Sequence, residues 1–454
     1  MEDLNPKIDF NFIMDSYIPT DMSSRSENNV IMFENLILKT YSNPNIESLS
    51  ELNQEFVHFS DSFDESLLAK YPLQNVLVEI LDSCNDIKLI KECLRCLVNI
   101  EINFPNVISS ILDLKIIDSI FNLISTNERG FTSEVFDFLS ELILNCESYR
   151  IDFYKDCSIT NLYFYIVNSL DLINNESIAR FSDYAVNYLP VFEEVIDIYM
   201  QIFQVILVQR WPNKQAGNHA QLYALHGIYT ILQNNELTQR FKCHICNNNN
   251  IQKLIVIFFD GRELNNERVL AISIVAEIYR YNVQEIPDLI PQILESFDLC
   301  KLTFSYHIIA LSLQKIIRYI SEDEYYKLLE NDIFNRLIKL QDSITFEAKA
   351  SICDCLKELF YKMTPIQVKV FYQESFFSLF FSILEIDDLI LISKTIDFLY
   401  IVCESAQKQN ETDLIREIFN KIEAIDRLNE IKDIAELNPN LISEIEQIIK
   451  IYNE

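Results

Sequence analysis

A short apolar run followed by a longer amphipathic stretch recurs along the whole chain, and this repetition constrains the fold more than any single motif. One clear copy is SSILDLKIIDSIFNLISTNERGFTSEVFDFLSELIL, from Ser109 to Leu144. Its third predicted helix has one buried face with the i, i+3, i+4, i+7 spacing of an amphipathic helix, formed by Val135, Phe138, Leu139 and Leu142. Because no helix of this copy can bury its apolar face alone, successive copies must pack against one another.

The other copies begin with similar apolar runs: NVLVEILDS, NLYFYIVNS, IYMQIFQVI, KLIVIFFDG, DLIPQILES, NRLIKLQDS and SLFFSILEI. The interval between the runs scatters from roughly 35 to 55 residues around a centre near 43, which is typical of helical-repeat solenoids. Residues 31–60 have the pattern of a degenerate first copy, and residues 426–452 have that of a last copy. The sequence therefore predicts about ten stacked helical repeats.

Glycine is too scarce for most other fold classes. The 454 residues include 4 Gly and 11 Pro, and 49% of them are hydrophobic. Folds rich in β-strands need more Gly for their turns, and a disordered chain has fewer apolar residues. We therefore expect an all-α fold. Residues 1–29 are predicted to form a polar tail, residues 30–454 a single solenoid domain, and the residues from about 405 onwards its C-terminal capping repeat.

These repeats resemble the armadillo repeat, in which a short helix leads through a tight turn into two antiparallel helices. Where that family usually has Gly at the first turn, this chain has Asp113, Asp156, the run 247–250 and Asn331–Asp332. Asn and Asp are the residues that best tolerate left-handed backbone after Gly. The resemblance implies a right-handed α-solenoid in which the third helices line a concave face, where an extended peptide binds.

The same resemblance implies a set of candidate binding residues at the outward-facing positions of the third helices. They are Arg95, Asn99, Asp137, Glu141, Asp183, Asn187, Tyr223, Ser273, Glu277, Asp354 and Glu358. Importin-alpha nuclear import adaptors, which belong to the same family, carry a Trp and an Asn one turn apart on successive third helices. Here the Asn is matched by Asn99 and Asn187, and the Trp is replaced by Arg95 and Asp183. A diverged import adaptor is therefore an alternative to a general scaffold.

The charge of the chain restricts its partners. The formal charge is −31, from 37 basic and 68 acidic residues, and such a charge repels nucleic-acid backbones and anionic lipids. We expect neither a nucleic-acid nor a membrane partner. The negative net charge favours a Lys/Arg-containing polypeptide as the partner. Its cations would pair with the carboxylates of the concave face, and its backbone would form hydrogen bonds with the Asn side chains. The alternative is that the acidity only keeps an apolar-rich chain in solution.

Motifs that indicate catalysis or phosphate binding do not occur. The sequence contains no G-x-x-x-x-G-K-[ST], G-x-G-x-x-G, G-x-S-x-G or H-E-x-x-H, each of which would indicate a specific chemistry. The weak metal candidate is Cys243, His244 and Cys246, which lacks the second pair that a closed zinc site needs. We therefore predict a non-enzymatic scaffold or adaptor with no cofactor and no metal. An enzyme is the remaining alternative, and it requires convergent polar groups in a closed pocket.

Two further features concern location and one concerns an interruption of the repeats. The 11 Cys are an odd number, and the acidic N-terminus lacks the pattern of a secretory signal, so a reducing compartment, the cytosol or the nucleus, is expected.

The segment Gln209–Ala220 predicts a long loop between helices, either a plain surface insertion or a binding loop anchored by Trp211. The oligomeric state does not follow from these patterns.

Overall fold

The computed structural model describes most of the chain. The described residues are 27–58, 66–104, 107, 116–125, 132–145, 176–188, 193–208, 214–246, 255–259, 265–281, 289–299, 303–339, 346–385, 388–433 and 439–453. Every regular element within these ranges is a helix, which confirms the all-α prediction. The chain forms two compact units, residues 1–241 and residues 242–454. The single domain over residues 30–454 and its capping repeat remain predictions, and residues 1–26 of the proposed tail lie outside the described residues.

Unit 1 is a stack of helices. In chain order they are α1 (Glu27–Ser42), α2 (Ile46–His58), α3 (Ser66–Lys70), α4 (Leu73–Ser83), α5 (Ile87–Asn103), α6 (Ile116–Ser125), α7 (Thr132–Asn145), α8 (Glu176–Tyr188), α9 (Glu193–Val208) and α10 (Lys214–Gln233), followed by α11 (Gln239–Cys246), which continues into unit 2. Five of them pack side by side in the order α2, α5, α7, α8 and α10. We call these five the row helices of unit 1.

Unit 2 repeats the arrangement. Its helices are α12 (Asn266–Arg280), α13 (Ile290–Leu299), α14 (Thr303–Tyr319), α15 (Glu322–Glu330), α16 (Ile333–Ile338), α17 (Phe346–Lys362), a short 3-10 helix (Gln367–Phe371), α18 (Glu374–Ile383), α19 (Leu389–Lys408), α20 (Thr412–Lys421), α21 (Ala424–Lys432) and α22 (Pro439–Asn453). The row helices of unit 2 are α12, α14, α17, α19 and α22, each packed against the next.

No helix in the described part of the chain combines the length and the apolar character that a bilayer crossing needs.

The apolar face predicted for the third helix of the opening stretch, which is α7, is buried. Val135, Phe138, Leu139 and Leu142 are at most 1% exposed. Burying such a side chain contributes about 1.5–3 kcal/mol, so this face fixes the orientation of α7 within its repeat. A second face of α7 is also covered, because the ring of Phe136 lies 5.3 Å from that of Phe181 on α8.

One of the predicted left-handed turns lies within the described residues. Asp332, which precedes α16, has φ 58° and ψ 39°, and its carboxylate accepts a hydrogen bond of 2.7 Å from the side-chain nitrogen of Asn335. The structure thus confirms a left-handed backbone at this turn. The corresponding positions Asp113, Asp156 and 247–250 lie outside the described residues. Two further left-handed residues, Asn410 and Glu423, occur at turns that the sequence pattern did not identify.

The loop predicted from Gln209 to Ala220 is shorter than expected. Helix α10 begins at Lys214, so residues 214–220 are its first turns, and Trp211 lies outside the described residues. Gly217 does not interrupt this helix, since one Gly costs a helix only about 1 kcal/mol. Burial of the following apolar residues, Ala220 and Leu222, on this helix offsets that cost.

Candidate binding surface on the row helices

All the candidate binding residues lie on row helices, and the structure places those of neighbouring helices next to one another. Arg95 and Asn99 are on α5, Asp137 and Glu141 on α7, Asp183 and Asn187 on α8, Tyr223 on α10, Ser273 and Glu277 on α12, and Asp354 and Glu358 on α17. Most of them form a hydrogen bond or an ion pair with a side chain of the next row helix. These contacts determine which of the candidate residues a binding partner can reach.

Between α7 and α8, one guanidinium bridges two carboxylates. Arg180 of α8 donates to Asp137 Oδ1 at 2.7 Å and to Glu141 Oε1 at 3.3 Å. The expectation that Glu141 faces the solvent is wrong. Helix α8 packs on that side of α7, and Glu141 is buried there. Burial raises the pKa of the Glu141 carboxyl, and the charge of Arg180 opposes this shift. The side chain of Asp137 keeps 34% of its surface exposed.

Between α8 and α10, the polar contact is buried. His226 Nδ1 lies 2.8 Å from Asp183 Oδ1, Asn187 Nδ2 donates to the same oxygen at 3.0 Å, and Thr230 Oγ1 donates to Asn187 Oδ1 at 2.9 Å. Asp183 is 1% exposed, so its assignment to an outward face is wrong. Helix α10 covers it, and burial raises the pKa of its carboxyl while His226 opposes the shift. A ligand reaches Asp183 only if α8 and α10 separate.

The candidates on α5 are more accessible. Asn99 Nδ2 donates to Asn53 Oδ1 on α2 at 3.1 Å, and Asn53 Nδ2 donates to the backbone oxygen of Glu92 at 3.0 Å. Arg95 pairs with Glu134 Oε1 on α7 at 2.9 Å and is exposed on its other side. Asn99 is half-buried. Both side chains are therefore held in place and still reach the solvent.

Tyr223 on α10 belongs to an aromatic pair. Its ring packs edge-on against that of Tyr184 on α8, with the ring centroids 6.2 Å apart. Burial raises the pKa of the Tyr223 hydroxyl to about 12. Both residues are half-buried, so the pair presents a rigid aromatic surface beside the polar contact between α8 and α10.

In unit 2, the candidates on α12 are enclosed. Ser273 Oγ lies 3.0 Å from Ser312 Oγ on α14, and Glu277 Oε1 accepts a hydrogen bond of 2.6 Å from Lys315 Nζ. Ser273 and Glu277 are both buried, because α14 covers this side of α12. Their placement on an outward face is therefore wrong.

The candidates on α17 differ from each other. Glu358 Oε1 accepts a hydrogen bond of 3.0 Å from Arg318 Nε on α14. Asp354, one turn earlier, is half-buried, and no described residue donates a hydrogen bond to it or forms an ion pair with it. Burial raises the pKa of the Asp354 carboxyl, and the charges of Lys394 and Lys357 oppose the shift. Asp354 is thus a half-buried carboxylate without a partner in the described part of unit 2.

The pairs that join neighbouring row helices share one spacing. Their members are separated by 38 to 46 positions, which agrees with the interval of about 43 residues between the repeats. Sequence reasoning missed the partners Arg180, His226, Lys315 and Arg318. The signal that identifies them is a residue of opposite charge, or a His, one repeat before or after each carboxylate.

The weak metal candidate is spread over different sides of α11. Cys246 is buried, Cys243 is half-buried and His244 is exposed. Cys243 Sγ donates to the backbone oxygen of Tyr281 at 3.7 Å, and burial raises the pKa of the Cys246 thiol. Within the described ranges, no three His, Cys, Asp or Glu side chains are grouped so that they could hold a metal ion.

No protein-family model matches the sequence, and no curated protein matches it. Solved structures match the fold. One comes from work on a phosphorylation switch that controls the interaction between cadherin and beta-catenin. It matches with a TM-score of 0.53 and 10% sequence identity, over 98% of this chain and 95% of that chain.

Two further solved structures match less closely. A structure of importin beta has a TM-score of 0.47 and 13% identity, over 93% of this chain and 52% of that chain. A structure of Kap121p bound to Pho4p has a TM-score of 0.39 and 11% identity, over 93% of this chain and 47% of that chain. This chain thus spans about half the length of these two proteins. The likeness to the first structure shows the fold, which is an α-solenoid of armadillo/HEAT-like helical repeats.

Proposed function

We propose that this chain is a non-enzymatic scaffold that binds a polypeptide along its row helices, with Lys or Arg side chains of the partner at accessible carboxylates. The observation that carries the proposal is the carboxylate of Asp354, which is half-buried and has no partner in the described part of unit 2. The charges of Lys394 and Lys357 act on Asp354 without a direct ion pair, and a half-buried carboxylate without such a pair is unfavourable in the unbound protein. A cationic side chain from a partner supplies the direct ion pair.

Unit 1 offers a second position of the same kind. Arg180 faces both Asp137 and Glu141, so this contact keeps one negative charge in excess. Asp137 is the more exposed of the two carboxylates and is where an incoming cation can approach. The neighbouring Asn99 is half-buried, and its amide oxygen is suited to a hydrogen bond with an extended peptide backbone. Asn187 is also half-buried, but its amide already donates to Asp183 and accepts from Thr230. The net charge of −31 supports the same sign of partner.

The solved structures of similar fold are consistent with a scaffold, since the work on one of them concerns the interaction between cadherin and beta-catenin, and another is of Kap121p bound to Pho4p. We expect the chain to act in the cytosol or the nucleus. A diverged import adaptor is the less favoured alternative, because only its Asn positions are matched, by Asn99 and Asn187. Arg95 and Asp183 stand where that activity needs Trp, and Asp183 is buried beneath α10.

A display library of extended random peptides tests the proposal even though the partner is unidentified. We expect the enriched peptides to contain Lys or Arg and to bind more weakly as the salt concentration rises. Substitutions Asp354→Asn and Asp137→Asn should each weaken these peptides by roughly two- to fivefold, since partly exposed charge pairs contribute up to about 1 kcal/mol. Glu417→Gln, on helix α20 outside the row, is the matched control and should have no effect.

Two results would contradict the proposal. Enrichment of peptides without cations would show that charge does not select the partner. Equal weakening by Glu417→Gln and Asp354→Asn would show that only the overall charge of the chain matters, as the solubility alternative requires.

A further inference from the structure

Lys242, on helix α11, is a buried cation for which the described residues provide no counter-ion. Its residue is 6% exposed, and nothing in the described part of the chain forms a hydrogen bond or an ion pair with its ammonium group. The ammonium lies beside the ring of Tyr281, whose centroid is 5.7 Å from Lys242 Nζ. Buried charges in proteins are normally paired, because an unpaired buried charge is costly.

A second cation lies beside the same ring. The guanidinium carbon of Arg280 is 5.8 Å from the Tyr281 centroid. Burial lowers the pKa of Lys242, and the positive charge of Arg280 lowers it further. The two cations therefore lie beside the same ring and repel each other.

The carboxylate that attracts Lys242 is already used by other cations. Glu277 acts on Lys242 only through its charge, without a hydrogen bond. It is fully buried, its Oε1 accepts a hydrogen bond of 2.6 Å from Lys315, and its Oε2 lies 3.6 Å from Arg280. Three cations thus share one carboxylate: Lys242, Arg280 and Lys315. We call these four residues the Lys242 cluster. Its formal charge is +2, in a chain whose formal charge is −31.

We propose that the Lys242 cluster is a binding site for a phosphorylated side chain of a polypeptide partner, with the phosphate held by Lys242 and Arg280. The proposal rests on the proposed function for the source of the phosphate, but not for the site itself. A phosphate monoester carries a charge of about −1.5 to −2 at neutral pH, which matches the formal charge of +2 on the cluster. A carboxylate from a partner would neutralise only half of that charge. The guanidinium and the ammonium are also the two groups that most commonly bind phosphate.

The alternative is that Lys242 is structural. Helix α12 ends at Arg280, and cations near a helix C-terminus are stabilising. The two explanations predict opposite effects of removing the charge. The variant Lys242→Met keeps the buried stem and removes the ammonium. If Lys242 awaits a ligand, the unliganded variant should melt about 2–4 °C above the wild type. If Lys242 is structural, the variant should melt lower.

Lys315→Met is the matched control. Lys315 is also largely buried, but it forms an ion pair with Glu277. Removal of its charge leaves a buried carboxylate with fewer partners, so this variant should melt below the wild type. A lower melting temperature for Lys242→Met, like that of Lys315→Met, would overturn the proposal.

Binding is tested on the full chain with N-acetyl-phosphoserine amide, with N-acetyl-aspartate amide and N-acetyl-serine amide as comparisons, in an NMR titration at fixed ionic strength. We expect the phosphoserine compound to bind in the millimolar range and the serine compound not to bind. Lys242→Met should weaken binding at least about tenfold, since it removes a charge-assisted contact. Lys394→Met, which removes an exposed lysine of α19, should leave binding unchanged.

Three results would overturn the assignment: no binding of the phosphoserine compound, equal binding by Lys242→Met, or tighter binding of the aspartate compound. None of them depends on Asp354 or on cationic peptides. Failure of this site is therefore distinguishable from failure of the proposed function.

Discussion

The contact between α7 and α8 provides the most informative test of how the repeats are joined. Replacing Arg180 with Met keeps an unbranched apolar stem in the same place, and removes the cation that, among the described residues, pairs with both Asp137 and Glu141. Two carboxylates one turn apart on α7 are then left without their shared counter-ion. The variant Arg180→Met should therefore be less stable than the wild type.

The exposure of the three side chains sets the size of the effect. Breaking a fully buried ion pair costs about 3–5 kcal/mol. The side chain of Glu141 is only 9% exposed, whereas those of Arg180 and Asp137 are 24% and 34% exposed, so water screens part of the interaction. We expect a loss of about 2–3 kcal/mol for Arg180→Met. Adding Glu141→Gln to this variant should restore about 1 kcal/mol or more, because it removes the buried unpaired charge.

Hydrogen exchange of peptides from α7 and α8, measured across a urea series, is the suitable assay. It reports local opening free energies, which matters because a chain of two units need not unfold in a single step. The control is Lys408→Met, in an exposed pair with Glu404 whose side chains are 68% and 38% exposed; its effect should be below about 0.5 kcal/mol. If Arg180→Met behaves like Lys408→Met, or if Glu141→Gln restores nothing, the contact does not join the repeats.

Three further predictions concern single positions. A methyl group at Gly227 would overlap the ring of Phe203. In urea denaturation, Gly227→Ala should therefore lower the free energy of unfolding by about 1–3 kcal/mol, despite the better helix propensity of Ala. Adding Phe203→Leu to this variant should recover part of the loss. Asp332 has left-handed backbone, so Asp332→Gly should be about 1 kcal/mol more stable than Asp332→Ala by the same measurement, since both lose the side-chain bond but only Ala keeps a strained Cβ. Burial raises the pKa of Glu141 in the folded chain above its ordinary value of 4.5, so between these two pKa values the folded chain binds more protons than the unfolded chain. The free energy of unfolding of the wild type, relative to that of Glu141→Gln, should therefore fall as the pH rises through the folded pKa. A rise in this relative stability over the same pH range, measured by urea denaturation of both proteins, would contradict the prediction.

The sequence identified the helices and their inward faces well, because both follow from local spacing. Val135 and Phe138 are buried as predicted, since a period of 3.6 residues determines which side of α7 meets its own repeat. The left-handed turn at Asp332 was predictable for the same reason, because the preference of Asp for that conformation is local.

The exposure of the polar face was not predictable from the same spacing. Glu141, Asp183 and Glu277 are outward with respect to their own repeat, but the next row helix covers them. That packing depends on residues about one repeat further along the chain, which a single helical pattern does not contain. A comparison of each carboxylate with the residue one interval later would have paired Asp183 with His226 and Glu277 with Lys315.

The side-by-side packing of row helices one repeat apart is the claim on which the binding surface depends, and disulfide trapping in unit 2 tests it most directly. Ser273 Oγ and Ser312 Oγ lie 3.0 Å apart on α12 and α14, so the double variant Ser273→Cys/Ser312→Cys places two thiols at bonding distance. After mild oxidation, mass spectrometry should find the peptides that contain positions 273 and 312 joined by a disulfide, and this link should be absent from either single variant. Failure of the double variant to form that link while it remains folded and helical would contradict the arrangement of the repeats described above.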